Sequence, residues 1–238
     1  MRLDQLTRRY GDVTALGPLS LAVRAGEFVC VVGVSGCGKS TLLSLIAKLD
    51  QPSSGTVQTG RHRIALMFQA PALFPWLTAA GNVELALRAR ATPRPQRRER
   101  VRELLDTVGL LEFAGNRPHQ LSGGMQQRVA LARALAQDAD VLLMDEPFAA
   151  LDAMTRDRLQ CELERIVLAR NLTVVFVTHN VREAVRLADR VVLLSARPAT
   201  VVEEFAVGLA RPRDINTAEV ATLAAHITDR LDRGGIAR

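Results

Sequence analysis

The run Gly33-Val34-Ser35-Gly36-Cys37-Gly38-Lys39-Ser40-Thr41 constrains this chain more than any other feature. It fits the pattern GxxxxGK[ST], and its flanks fit the mechanism of that pattern. The apolar stretch Phe28–Val32 before it reads as a buried strand, and Leu42, Leu45, Ile46 and Leu49 after it mark one helical face. A strand that turns through glycines into a helix presents backbone N–H groups where the helix dipole also favours an anion. Lys39 then supplies a cation for the β- and γ-phosphates of ATP, and the Ser40 hydroxyl a ligand for Mg²⁺.

Further apolar runs at Val141–Met144, Leu172–Thr178 and Arg190–Leu194 are unbroken rather than alternating, as strands covered on both faces require. Helical patterns lie between them, including Val181, Ala184, Val185 and Ala188, so the chain reads as a doubly wound α/β core. With 238 residues, 48% hydrophobic and 4% aromatic, that core must be aliphatic and fits one domain with a small insertion. The insertion is expected from about residue 71, where the alternation stops. Glu84–Arg90 and Glu99–Leu111 look helical there, around a proline-rich linker at Thr92–Gln96. Beyond Ala210, Arg211-Pro212-Arg213 interrupts the pattern, and Val220, Ala224, Ile227 and Leu231 form a helical stripe suited to packing on the core. The expected division is therefore an ATPase domain at 1–210, with a helical subdomain near 71–136, and a helical tail at 211–238.

Composition excludes several classes. No apolar run approaches the roughly 20 residues of a membrane span, and the start of the chain lacks a secretory pattern, so a soluble, cytoplasmic protein is expected. Cys30, Cys37 and Cys161 show no CxxC spacing, and Cys37 reads as a small residue fitted into a tight turn. The charge of +6 invites a nucleic-acid reading. The densest basic run, Arg94 to Arg102, alternates with Pro95 and Glu99 and has no interleaved aromatics to stack on bases, so no nucleic acid is expected.

Two further constellations carry chemistry. Asp145 and Glu146 end the apolar run Val141–Met144, the position from which strands of open α/β sheets present ligands. Asp145 suits Mg²⁺, held directly or through water, and Glu146 suits a general base that polarises an attacking water. Leu121-Ser122-Gly123-Gly124-Met125-Gln126-Gln127-Arg128 opens another helical run, with Ser122 as cap and the Gly123 and Gly124 amides exposed. A second anion-binding helix start has no evident use in one chain, unless it serves the nucleotide of another copy. ATP would then be sandwiched between two chains.

At this point the sequence resembles the ATP-binding subunits of ABC transporters, from Tyr10 to about Ile227. Leu121–Arg128 is similar to the family signature. The resemblance implies an ABC ATPase fold, a P-loop NTPase (RecA-like) core with an inserted α-helical subdomain. It also implies a nucleotide site built from Tyr10 on adenine, Gly33, Ser35, Gly36, Cys37, Gly38, Lys39, Ser40 and Thr41 on phosphate, and Ser122, Gly123 and Gly124 from the partner copy. Gln69 resembles the glutamine that contacts Mg²⁺ and water, Ala150-Leu151-Asp152 the loop linking the two sites, and His179 the histidine that contacts the γ-phosphate. Asn180 stands where the family usually has Asp, Ala precedes Leu151-Asp152 where Gly is common, Gln127 replaces a basic or other polar residue, and Lys48 replaces Gly.

Phe74-Pro75-Trp76-Leu77, Leu193–Pro198 and Arg211–Asp214 resemble the importers of nitrate, sulfonates and taurine; importers of pyrimidine precursors carry similar segments. The implied partners are a second copy, transmembrane permease subunits and, indirectly, a solute-binding protein, at the inner face of the membrane. Trp76 is either an apolar anchor for the permease or a filler of the helical subdomain. A nucleic-acid ATPase of the same family would need coiled coils or two fused units, and a small-molecule kinase gives no reason for Leu121–Arg128.

Overall fold

A computed structural model describes residues 1–235; the last residues of the expected tail, 236–238, lie outside the described residues. The chain forms two compact units, one of Met1–His62 with the chain from Arg170 onward, the other of Arg63–Ala169.

In the first unit, β1 (Arg2–Tyr10) and β2 (Val13–Ala22) form an antiparallel hairpin turned at Gly11, whose φ of 57° is left-handed. β4 (Ser54–Gln58) pairs with the other edge of β1. The sequence reading does not mark these strands, and β1 shows why. Leu3 and Leu6 are both buried although three residues apart, because the register shifts between them where Gln5 takes a φ of 46°. A bulge of this kind erases the period-2 alternation by which a half-buried strand is recognised. Gly55, at φ 82°, lies opposite, and a Cβ there would strike the carbonyls of Asp4 and Gln5.

β3 (Phe28–Val32) is buried along its whole length. It lies parallel between β7 (Thr173–Thr178) and β8 (Arg190–Leu194), with Phe28 opposite Val174 and Val29 opposite Arg190. β9 (Val201–Ala206) closes this part antiparallel to β8. α1 (Lys39–Ile46) follows β3, and α6 (Val181–Leu187) follows β7. α7 (Ala218–Gly235) packs on α6 and β8 through Val220, Ala224 and Ile227. The Arg211–Arg213 segment does more than end a pattern. The buried Arg213 guanidinium donates to the carbonyls of Val185, Arg186 and Ala188 at 2.6–3.2 Å, and Arg211 donates to that of Leu187 at 2.5 Å. Two cations thus satisfy the last carbonyls of α6 and complement its dipole.

The second unit carries the parallel pair β5 (Ile64–Met67) and β6 (Val141–Asp145), with Ile64 opposite Val141. Between them come α2 (Ala79–Ala89), α3 (Arg94–Thr107), two 3₁₀ turns and α4 (Gly123–Ala136), with no strand from residue 68 to residue 140. α2, α3 and α4 pack on one another through Val83, Leu87, Val101, Leu104, Leu105 and Leu131. α5 (Ala153–Arg170) follows β6; its charged residues hide the stripe Leu159, Leu163 and Val167 from a reading of the sequence. Among the described residues no helix is long and apolar enough to cross a membrane.

One ion pair ties the first unit together. Glu27 at the mouth of β3 is buried and accepts from Arg190 Nε at 2.9 Å and from the Arg24 amide at 2.8 Å, while Arg190 also donates to Ala22 O and Glu204. Burial raises the Glu27 pKa, but the Arg190 and Arg24 hydrogen bonds and the Arg190 charge outweigh it and leave it below the usual range. The folded carboxyl therefore binds its proton less readily than the unfolded one. Its stabilisation is fully present above about pH 4.5 and is lost as pH falls through the depressed value. Glu27→Gln is expected to lower unfolding free energy by roughly 2–3 kcal/mol at neutral pH, and by progressively less as pH falls through the depressed value, in urea titrations across the acid range.

Candidate nucleotide-binding site

The phosphate loop runs from the end of β3 into α1. Gly38, the residue before the helix, has a φ of 127°, and no side chain caps the helix start. α2 and α4, by contrast, are capped by Thr78 on the Gly81 amide and by Ser122 on the Met125 amide. The first-turn amides of α1 have no intrahelical partner, so a helix left bare at this end suits an anion. The glycines are required sterically at two points. A Cβ on Gly38 would come within 2.9 Å of Ala15 O and Leu16 Cδ2, and one on Gly33 within 2.9 Å of Cys37 Sγ.

Lys39 is 6% exposed, and its ammonium donates to Gly33 O at 2.8 Å and Val34 O at 2.9 Å. The loop therefore curls around its own cation and keeps positive charge in place. Ser40 is exposed at the start of α1, and Thr41 is half-buried. Cys37 is buried; burial pushes its thiol pKa up, and the Lys39 charge offsets this only in part. A protonated, covered thiol is a packing residue, as the sequence reading expects.

Tyr10, at the end of β1, is 47% exposed and held from two sides. Its hydroxyl donates to Asp50 Oδ2 at 2.5 Å, and the Arg8 guanidinium lies 4.4 Å from its ring centroid. Arg8 also pairs with Asp50 at 2.7 Å. Sequence reasoning misses Arg8 and Asp50 because no local pattern links residues 40 positions apart. His179 is exposed between β7 and α6. The departure at Asn180 keeps the cap of α6, since its Oδ1 accepts from the Glu183 amide at 3.2 Å, and Asn caps as well as Asp.

In the second unit Asp145 is 8% exposed at the end of β6, and Glu146 follows with a left-handed φ of 46°. Non-glycine residues in that region cost of order 1–3 kcal/mol and cluster at functional sites. Gln69 Nε2 lies 3.4 Å from Glu146 Oε2, which brings these two together. The buried Gln127 of the signature donates to Gln69 O at 3.3 Å, and Arg133 holds Pro71 O at 2.9 Å and Ala72 O at 2.7 Å. The segment after Gln69 is thereby tied to α4, a role for Gln127 that its sequence position does not reveal. At the start of α4, Gly123 faces open space, whereas a Cβ on Gly124 would meet Leu151 at 3.2 Å and Ala150 O at 3.3 Å. Asp152 caps α5 through the Thr155 amide at 3.0 Å, and that bond holds its pKa below the usual range.

Trp76 is 66% exposed, so it does not fill the helical subdomain. Its ring meets Phe74 at 5.4 Å between centroids. The turn beneath is rigid: fully buried Asn82 accepts from Phe74 N at 2.8 Å and donates to Phe74 O at 3.2 Å and Thr78 O at 3.0 Å.

A bare helix start behind a glycine loop, fed by a strand of a parallel sheet, defines an α/β protein of the P-loop, nucleotide-binding class. A family model described as ABC transporter matches residues 16–149. The chain is 48% identical over 229 residues to the aliphatic sulfonates import ATP-binding protein of Mesorhizobium japonicum, covering 94% of this chain and 85% of that one. It is 45% identical over 208 residues to the nitrate import ATP-binding protein of Synechocystis, covering 84% and 78%. A solved dimeric bacterial ABC transporter cassette superposes with a TM-score of 0.80 at 36% identity, covering 88% of this chain and 99% of that one. The same cassette in a post-hydrolysis state with ADP and Pi gives 0.78 at 34% identity over 88% and 99%. The chain belongs to the ABC transporter family, as one of its ATP-binding, ATP-hydrolysing subunits.

Gly38→Ala is expected to weaken ADP binding at least about tenfold in titration calorimetry, because at φ 127° a side chain must displace Ala15 or the loop.

Proposed function

We propose that this chain is the ATPase subunit of an importer for a small anionic solute of the sulfonate or nitrate kind, working as a pair of copies that close around ATP. The observation that carries the reading is the presence in one chain of two glycine-flanked helix starts: α1, bare behind the Lys39 loop, and α4, which opens on Gly123 and Gly124 behind its Ser122 cap. The dimeric form of the similar cassette and the import proteins of Mesorhizobium and Synechocystis support it.

In this reading residues 1–210 are the ATPase domain, with the helical subdomain near 71–136, and 211–238 form a tail on the core. Tyr10 stacks on adenine; Gly33, Ser35, Gly36, Cys37, Gly38, Lys39, Ser40 and Thr41 surround the phosphates; Ser122, Gly123 and Gly124 reach the nucleotide of the partner copy, and Asp152 links the two sites. Ser40, Gln69 and Asp145 hold Mg²⁺. This donor set of hydroxyl, amide and carboxylate oxygens fits that ion, which takes few carboxylates and completes its shell with phosphates and water. When bound, the ion neutralises charge on the phosphates. Glu146 accepts a proton from the attacking water, Gln69 orients that water, and His179 contacts the γ-phosphate. The exposed Trp76, on its rigid turn, anchors a permease segment, which places the subunit at the inner face of the membrane.

Glu146→Gln is expected to bind ATP normally, to lose at least about 100-fold in turnover and to accumulate as a dimer with ATP on size exclusion. Unchanged turnover would remove Glu146 from the base role. Tyr10→Ala is expected to weaken ATP binding roughly tenfold, as loss of one base-stacking partner does, with Tyr10→Trp near wild type.

A further inference from the structure

The segment that follows β8 has no part in the reading above, yet one of its residues grips the phosphate loop. Arg197 Nη2 donates to Gly36 O at 2.6 Å. The base from which it reaches is firmly built. Ser195 and Thr200 close a turn, with Ser195 N on Thr200 O and Thr200 N on Ser195 Oγ, both at 3.0 Å. Ala199 is fastened to β2 in both directions, donating to Ala15 O at 3.1 Å and accepting from Gly17 N at 3.0 Å. Ala15 and Leu16 of that strand are the atoms against which Gly38 closes. Arg197 therefore projects from the same framework that seats the far end of the loop.

The hydrogen bond has a directional consequence. A trans peptide is planar, and its C=O and N–H point to opposite sides. With Gly36 O held by Arg197, the Cys37 N–H points to the opposite side of the peptide. There it donates to Val34 O at 3.3 Å, the same carbonyl that takes the Lys39 ammonium at 2.9 Å, so the peptide is engaged on both sides. Gly36, at φ 75° and with no side chain, gives the peptide little resistance to rotation by itself. Two hydrogen bonds set the plane, Cys37 N–H on Val34 O from within the loop and Arg197 on Gly36 O from outside it.

We propose that Arg197 is a positioning residue for ATP binding, whose hydrogen bond to Gly36 O fixes the Gly36–Cys37 peptide plane and with it the Val34–Cys37 turn of the phosphate loop. The inference rests on the proposed role of Gly33–Thr41 as the phosphate cradle. A loop ordered before the ligand arrives loses less freedom on binding, so the effect falls on affinity rather than on the bond-breaking step.

The test uses the purified full chain, with Kd for ADP and for ATP from titration calorimetry and kcat and KM from phosphate release. Arg197→Ala is expected to weaken both nucleotides about fivefold and to raise KM equally, leaving kcat within about twofold. Arg197→Lys, which keeps a charged donor, is expected to recover most of the loss. Affinity equal to wild type in Arg197→Ala, or a fall in kcat at unchanged KM, overturns the proposal. Should Arg197→Ala lower the unfolding midpoint, Arg197→Met decides, since it keeps the apolar stem and removes only the donors; wild-type affinity there overturns it too. Lys39→Ala separates the two levels. If it leaves nucleotide affinity intact, the phosphate cradle itself is misplaced, whereas if only Arg197→Ala is silent, the cradle stands and the clamp falls.

Discussion

The bare amino terminus of α1 is the constraint around which the first unit is arranged. A helix end with no side-chain cap lies next to a buried lysine whose ammonium is turned onto the carbonyls of Gly33 and Val34, so positive charge gathers where the loop meets the helix. Such an arrangement is tolerable only if the backbone around it is fixed from outside. Ala15 and Leu16 press on Gly38, Leu194 and Cys37 crowd Gly33, and Arg197 holds Gly36. First-turn amides held in this way have no acceptor within the helix and are left for water or a ligand.

The second unit solves a different problem, which is to hold polar and strained groups at the ends of apolar strands. Glu146 adopts a left-handed backbone, and Gln69 lies beyond the end of β5. Side chains of α4 stabilise that region: Gln127 on Gln69 O, and Arg133 on Pro71 and Ala72. The helix that opens with the family signature thus also braces the segment carrying the water-orienting candidate. A movement of α4 would be felt at Gln69 through one short side chain.

Much of this was legible in the sequence, for identifiable reasons. β3, β6, β7 and β8 are buried on both faces, so their apolar runs stand out, and the Gly33–Thr41 loop announces itself because its glycines, Lys39 and Ser40 fall at fixed spacing between a strand and a helix. The hairpin of β1 and β2 was not legible, since a bulge at Gln5 breaks the spacing of Leu3 and Leu6. α5 was missed because buried Gln160 and Glu164 interrupt its apolar stripe. At the candidate site, Lys39, Asp145 and Glu146 were found from local pattern alone. Gln127, Asp50 and Arg197 act through contacts between residues 40 to 161 positions apart, which no window along the chain can display.

Cys37 adds a final consequence. Its sulfur is shut inside the glycine loop against Gly33, protonated and 1% exposed. An alkylating reagent can meet that thiol only while the loop has come undone. The rate of its labelling is therefore a clock for the spontaneous opening of the cradle, carried by the native chain without any added probe, with exposed Cys161 as the internal reference that reacts regardless.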